Sequence, residues 1–285
     1  MKYKIRRKNG KEAIFDENGN QMSEWFDKIE ANGLLEGRGR YYLAVKINKL
    51  NVRFKNKYAI FDIDGNQITK EWFDKIWSVG LVDGDSDYFI VNKGKKKGGK
   101  WAIFDKNGNM ISPEWFDDVW GDGLVRGESR YYVAKKDGKQ AIFDKDGNQI
   151  SPWYDWIEKD GLIRGLSKYY IAQKDKKWAI FDKDGNMVSP EWFDYIYPYG
   201  LVRGESDYYI AWSREGCAVY YKDGQKVSDY FPEEYLRISE KIVFNENLGI
   251  VEIKDGNGQT RKSIDFNPVY PFKEEIIDYT KLLNI

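Results

Sequence analysis

The residues best suited to chemistry are Asp144-Lys145-Asp146-Gly147-Asn148, repeated as Asp182-Lys183-Asp184-Gly185-Asn186. Oxygen ligands at alternate positions are how a calcium loop opens. The pattern then fails, because Gln149 and Met187 stand where such a loop needs glycine and no helical pattern flanks it. Asp-Gly and Asn-Gly are strong hairpin signals, since they supply the positive φ angles of a tight turn. These stretches are therefore read as turns, and no metal or cofactor is expected. The chain has no His and one Cys, Cys217, which removes the usual zinc sets, Ser-His and Cys-His catalytic pairs and any intramolecular disulfide. Carboxylates are abundant, but each recurring Asp falls in a turn or corner that accounts for it. An enzyme is not expected.

Two other sets carry recognition chemistry. Arg126-Gly127-Glu128-Ser129 recurs as Arg203-Gly204-Glu205-Ser206 and, altered, as Arg164-Gly165-Leu166-Ser167, while Glu36 and Asp83 take the Arg place in earlier copies. A row of equivalent Arg side chains can grip a carboxylate, a phosphate or an acidic partner; paired surface charges are the alternative. The chain also holds 11 Trp and 21 Tyr. Aromatic faces stack on sugar rings, yet aromatics that recur in register mostly build cores. Trp77, Trp120 and Trp156 closely follow an aromatic-Asp corner and are the candidates for exposure. The candidate partner-binding set is thus Arg126, Arg164, Arg203, Glu128, Glu205, Trp77, Trp120 and Trp156.

The elements that position these residues form a repeat. Ala-(Ile/Val)-(Phe/Tyr) recurs from Ala13, Ala59, Ala102, Ala141, Ala179 and, in worn form, Ala218, in steps of 46, 43, 39, 38 and 39 residues. A period of this size announces a repeat architecture. The fullest copy runs Trp101-Ala102-Ile103-Phe104-Asp105, an Asn107-Gly108 turn, Ser112-Pro113-Glu114-Trp115-Phe116-Asp117, Gly123-Leu124-Val125 and Tyr131-Tyr132-Val133-Ala134. Trp101 to Asp105 is apolar on both strand faces, so its strand must lie between neighbouring sheets. Ser-Pro-Glu also opens helices, and Ser112 to Asp117 is read as a single helical turn or an irregular corner. In the last copy, Pro232-Glu233-Glu234-Tyr235 is read as replacing the Trp-Phe-Asp corner.

Each unit then supplies three or four short strands. The expected fold is all-β, a propeller-like array of about five or six blades or an open β-repeat array. Units start near 1, 57, 100, 139, 177 and 216 within 1–235, and a divergent capping segment, 236–285, ends in a short helix over Pro271 to Ile285. Insertions near 48–56 and 93–100 map to connections between repeats.

Lys100-Trp101-Ala102-Ile103-Phe104-Asp105 and Lys177-Trp178-Ala179-Ile180-Phe181-Asp182, each followed by a Gly turn, an aromatic-Asp corner and a Gly-Leu-Val run, resemble the bacterial WG or KWG repeats. Those repeats read Lys-Trp-Gly-Phe-Ile-Asp, a Gly turn, a Pro-x-x-Tyr-Asp corner and a Gly-Leu-Ala-x-Val strand; here Ala takes the Gly place. The resemblance spans residues 3–225. It implies an all-β repeat array with a binding or scaffold role and brings no catalytic residues.

With 46 basic and 46 acidic residues, the net charge argues against long-range attraction to nucleic acid or anionic membrane, including at the Lys-rich 93–100 loop. No apolar run reaches the roughly eighteen residues of a membrane span and no leader pattern is evident, which points to a soluble, cytoplasmic protein. The function expected is non-enzymatic recognition of another protein through repeat loops, extending to inhibition by occlusion. A lectin-like glycan-binding module using the repeated Trp, Tyr and Asp is the alternative.

Overall fold

The computed structural model describes residues 3–47, 56–94, 98–237 and 241–269. The helix expected over 271–285 and most of the 48–56 insertion lie outside them. The fold is all-β, a tandem, propeller-like array of small antiparallel sheets. The first sheet pairs β1 (Lys4–Lys8) with β2 (Lys11–Phe15) through the Asn9-Gly10 turn. Among the described residues, six three-stranded sheets follow.

The fourth sheet states the plan of the second to sixth. A short entry strand, Asp118–Val119, pairs with Tyr131–Lys136, which pairs with Lys139–Asp144. The corresponding sets are Lys28–Ile29, Tyr41–Lys46 and Lys57–Asp62 in the second sheet, and Lys75–Ile76, Tyr88–Lys93 and Lys100–Asp105 in the third. Trp156–Ile157, Tyr169–Lys174 and Lys177–Asp182 form the fifth, and Tyr195–Tyr197, Tyr208–Ser213 and Gly216–Tyr221 the sixth. The third strand of each sheet turns and pairs back upon itself: Met110 bridges Phe104, and Phe116 bridges Trp101. Two residues later the same chain enters the next sheet at Asp118. Each sheet is therefore built from the end of one sequence repeat and the start of the next.

Ser112-Pro113-Glu114-Trp115 is a bend and not a helical turn. The reason is local: Ser112 Oγ accepts the Ile103 N–H at 3.1 Å, across the sheet, and so does not cap the N–H groups that follow it. Ser23, Thr69, Ser151, Ser189 and Ser228 do the same for Ile14, Ile60, Ile142, Ile180 and Val219. The corner Asp is a second pin. Asp117 accepts the N–H of Asp137, at the hairpin tip of the sheet it enters, at 2.8 Å, and also binds Lys100 of the sheet it leaves. In the last copy the corner does not fall at Pro232 to Tyr235 but begins two residues earlier: Phe231 bridges Cys217, so Tyr230-Phe231-Pro232 takes the Trp-Phe-Asp place.

Sheet packing explains the repeated Ala. Ala134 lies directly opposite Ala141, as Ala44 does Ala59, Ala172 does Ala179 and Ala211 does Ala218. These small residues face the preceding sheet, and large residues fill the space they leave. Ile90, Ile103 and fully buried Phe116 share a core cluster with Val119, Tyr132, Ala134, Ala141 and Phe143. Burying a side chain the size of Phe contributes about 1.5–3 kcal/mol. Adjacent sheets are also stapled by hydrogen bonds: Ser86, Ser129 and Ser167 Oγ donate to the carbonyls of Val125, Ile163 and Val202 in the next sheet, at 2.7, 2.6 and 2.6 Å. Gly123 sits at this seam with φ +78°, where a Cβ would lie 2.3 Å from Tyr131 O and 2.7 Å from Ile163 O. Only glycine fits both the angle and the space.

The seventh sheet, Lys241–Asn245, Ile250–Lys254 and Thr260–Asp265, caps the array. Ile242, Val251, Ile253 and Phe266 share one core cluster with Tyr208, Cys217 and Leu236, so the core runs across residues 235 and 236. Two short helices, a 3-10 turn at Gly33–Glu36 and a single α turn at Glu234–Arg237, are the helical content of the described residues.

Candidate partner-binding surface

The repeated turn carboxylates close their own hairpins. Asp144 Oδ1 accepts the N–H groups of Asp146 and Asn148, both at 2.9 Å, and its Oδ2 accepts the Asn148 amide at 3.1 Å. Asp182 is bound in the same way by Asp184 and Asn186. Among the described residues, no group of three or more Cys, Asp or Glu is arranged to hold a metal ion.

The tryptophans divide into two sets. Trp25, Trp72, Trp115, Trp153 and Trp192 form the corner column, half-buried against Phe15, Phe61, Phe104, Phe143 and Phe181. Lys46 and Lys93 cover two of them, 4.0 Å from Trp72 and 4.7 Å from Trp115. The other six, Trp77, Trp101, Trp120, Trp156, Trp178 and Trp212, lie at one rim of the third to sixth sheets. Trp101, Trp156, Trp178, Tyr195 and Trp212 share one cross-strand row, at positions taken by Lys28, Val45 and Tyr58 in the second sheet. Rings meet across this rim: Trp77 with Trp101 at 5.5 Å, Trp120 with Trp156 at 5.8 Å, and Trp178 with Tyr195 at 5.7 Å.

Of the three Trp residues singled out, Trp156 is 42% exposed, and Tyr195, at the same position one sheet on, is 36% exposed. Trp120 is half-buried. Trp77 is half-buried as well, its indole N–H enclosed without a partner, with Gly121 leaving space for the ring. The two-residue strand period does not set this difference, since Trp156 just before Ile157 and Trp77 and Trp120 just after Ile76 and Val119 all lie opposite a buried residue; the Trp77 ring is instead covered from the next sheet's loop at Gly121.

The three arginines form a ladder whose rungs are aspartates. Arg126 approaches Asp122 at 3.8 Å; Arg164 reaches Asp122 at 3.4 Å and Asp160 at 3.2 Å; Arg203 reaches Asp160 at 2.8 Å. Each Arg therefore turns to the residue four back in its own loop, and Arg164 and Arg203 also reach the Asp of the preceding loop. Tyr199 takes the Asp place in the last loop, and the Arg203 guanidinium stacks on it at 4.5 Å. Arg126 has Val79 where a preceding Asp would stand, so it is held only loosely and its side chain is 52% exposed. Burial works against ionisation of Asp122, but Lys159 and Arg164 outweigh it and hold the carboxyl below the usual range. The cross-loop pairs, Arg164 with Asp122 and Arg203 with Asp160, join residues 42 and 43 apart, which sequence spacing gives no means of pairing.

Glu128 and Glu205, both exposed, turn back on their own loops and accept the N–H of Gly123 and Gly200 at 2.8 and 3.1 Å. Leu166, in the same place, is exposed too but has no carboxylate to close its loop. Lys159 joins the two halves of the surface, 2.9 Å from Asp122 Oδ2 and 5.3 Å from the Trp120 ring. Trp156 and Trp120 are thus linked through Lys159 and Asp122 to Arg164, Asp160 and Arg203 by one run of contacts over the fourth to sixth sheets.

No protein-family model and no curated protein matches the chain. Among solved structures it is similar to a eukaryotic initiation factor (15% identity, 68% of this chain and 55% of that one, TM-score 0.37). It is also similar to TolB from Acinetobacter baumannii (14%, 76% and 58%, TM-score 0.28) and to the Dos1 propeller (10%, 92% and 76%, TM-score 0.29). The chain thus spans little more than half the length of the first two. No helix among the described residues is long and apolar enough to cross a membrane.

Proposed function

We propose that this chain is a non-enzymatic binding or scaffold module, a WG-like repeat protein that recognises another protein through the strip centred on Trp156 and the Arg ladder. The observation that carries this reading is the register: aromatics recur at equivalent rim positions in successive sheets, and Lys159 joins them to the row of Arg and Asp. Aromatic and Arg side chains on a rigid scaffold are the composition of protein-binding hot spots. Arg126, the loosely held end of the ladder, is the cation most available to a partner carboxylate. Occlusion of the bound protein is the mode of inhibition such a surface would support.

Affinity capture from native lysate tests this, comparing wild type with Trp156→Ala and with Arg126→Ala after confirming that all three melt alike. A stoichiometric protein lost from both variants is the expected result. If nothing is retained and a soluble oligosaccharide instead quenches Trp fluorescence saturably, the lectin-like alternative replaces it.

A further inference from the structure

In each of the second to sixth sheets, the central strand is paired on its outer edge by a short entry strand that ends an acidic corner. In the first sheet, β1 takes the place of that central strand. Its pairing of Lys8 with Lys11 around Asn9-Gly10 matches the pairing of Lys136 with Lys139 around Asp137-Gly138, with φ of 51° and 72° against 50° and 81°. By this register, Ile5 and Arg7 direct their N–H and C=O groups outward, as Val133 and Lys135 do. Val133 and Lys135 accept the N–H groups of Trp120 and Asp117 there. Among the described residues, no strand pairs with this edge of β1.

The place is marked by charge as well as by unpaired backbone. Lys4, Arg6, Arg7, Lys8 and Lys11 surround it in a chain whose charges balance overall. Arg7 pairs with Glu12 and its side chain is 81% exposed; among the described residues Lys4, Arg6, Lys8 and Lys11 make no ion pair. Arg6 occupies the position of Ala44, Val91, Ala134, Ala172 and Ala211, where the entry strand places Ile or Val directly opposite. Asn9 occupies the position of Asp137, whose N–H the corner Asp117 accepts; Asp27, Asp74 and Asp155 serve Ile47, Gly94 and Asp175 in the same way.

We infer that the outer edge of β1 is a docking site for an extended acidic peptide, which adds as a short antiparallel strand and completes the first sheet. The neighbouring sheets define its motif. An Asp at the corner position accepts the Asn9 N–H, and an acidic residue two positions later lies opposite Arg6, where the internal entry strands carry Ile or Val. Backbone bonds to Ile5 and Arg7 supply affinity, and the facing charges supply selectivity. This site is separate from the Trp156 strip and stands whether or not that strip binds a protein.

The probe is a fluorescein-labelled peptide, Pro-Glu-Trp-Phe-Asp-Asp-Glu-Trp-Gly, copying residues 113–121 with Glu in the place of Val119, titrated with the full chain by anisotropy. Saturable binding is expected, weakened about tenfold or more by Lys4→Glu with Arg6→Glu and unchanged by Trp156→Ala. The peptide with Lys at both Asp positions and at the Glu two residues after the corner Asp should not bind. Hydrogen exchange on the wild-type chain gives a readout independent of variants: the Ile5 and Arg7 amides become protected when the peptide is added. No saturable binding overturns the proposal. So does protection of those two amides before any peptide is present, which would mean the chain fills its own edge.

Discussion

Removing one hydroxyl at a sheet seam tests the packing argument directly. Ser129 Oγ donates to Ile163 O of the next sheet at 2.6 Å and accepts the Tyr131 N–H at 3.1 Å. Ser129→Ala leaves a backbone carbonyl and a backbone N–H at the seam without this partner, while removing almost no apolar area. The loss of one net hydrogen bond, about 0.5–1.5 kcal/mol, adds to the cost of part-buried groups left unpaired, for a total of about 1–3 kcal/mol. Ser206→Ala is the internal control. It also loses the bond to the following amide, at Tyr208, but its hydroxyl donates to the exposed carboxylate of Glu246 and not to a seam carbonyl. The two variants should therefore differ by about 1 kcal/mol, read as a lower urea midpoint for Ser129→Ala at equal m-value. The Tyr131 amide should also exchange faster. Equal midpoints for the two variants would refute the claim that a hydroxyl on a seam carbonyl stabilises the array more than the exposed bond from Ser206 to Glu246 of the next sheet.

Tyr132 is fully buried with its hydroxyl unpartnered, and Phe89 fills the same position in the third sheet, so Tyr132→Phe should be neutral or stabilising by about 1 kcal/mol in thermal melts. With no His in the chain, stability should be nearly flat between about pH 5 and 8. Acid should then unfold the protein. Burial opposes ionisation at Asp105, Asp144 and Asp182, but hydrogen bonds from the turn outweigh it and hold each carboxyl below its usual range. A folded value below the unfolded one gives stability that is present above the unfolded value and lost as pH falls through the folded one. Asp118, which burial raises, contributes in the opposite sense. A circular-dichroism titration showing the main loss of structure above pH 5 would contradict this assignment.

The periodicity, the hairpins and the two-sided apolar strands were legible in the sequence because each rests on local chemistry: Asn-Gly turns, strand alternation and recurring aromatics. Ser112 was harder to place, because the residues that cap a helix also serve any strand N–H within reach, and only the fold brings Ile103 to it. The corner at Tyr230-Phe231 is hidden in the sequence, which points to Pro232 to Tyr235 instead, because the last unit has lost its Trp and its Asp; the bridge from Phe231 to Cys217 reveals the alignment. At the candidate surface, sequence spacing gathered Arg126, Arg164 and Arg203 into one row but gave no sign that Asp122 and Asp160 stand between them.

The sequence by itself determined the repeat, its strands and turns and the side chains that recur on each, since these depend on contacts within a few residues. Tertiary structure alone decided that sheets straddle the repeats, that Ala faces Ala to admit the neighbouring sheet, and that the Arg row is neutralised from within. The same holds for the difference between an enclosed Trp77 and an exposed Trp156. Each of these depends on groups about forty residues apart, which meet only when one sheet is laid against the next.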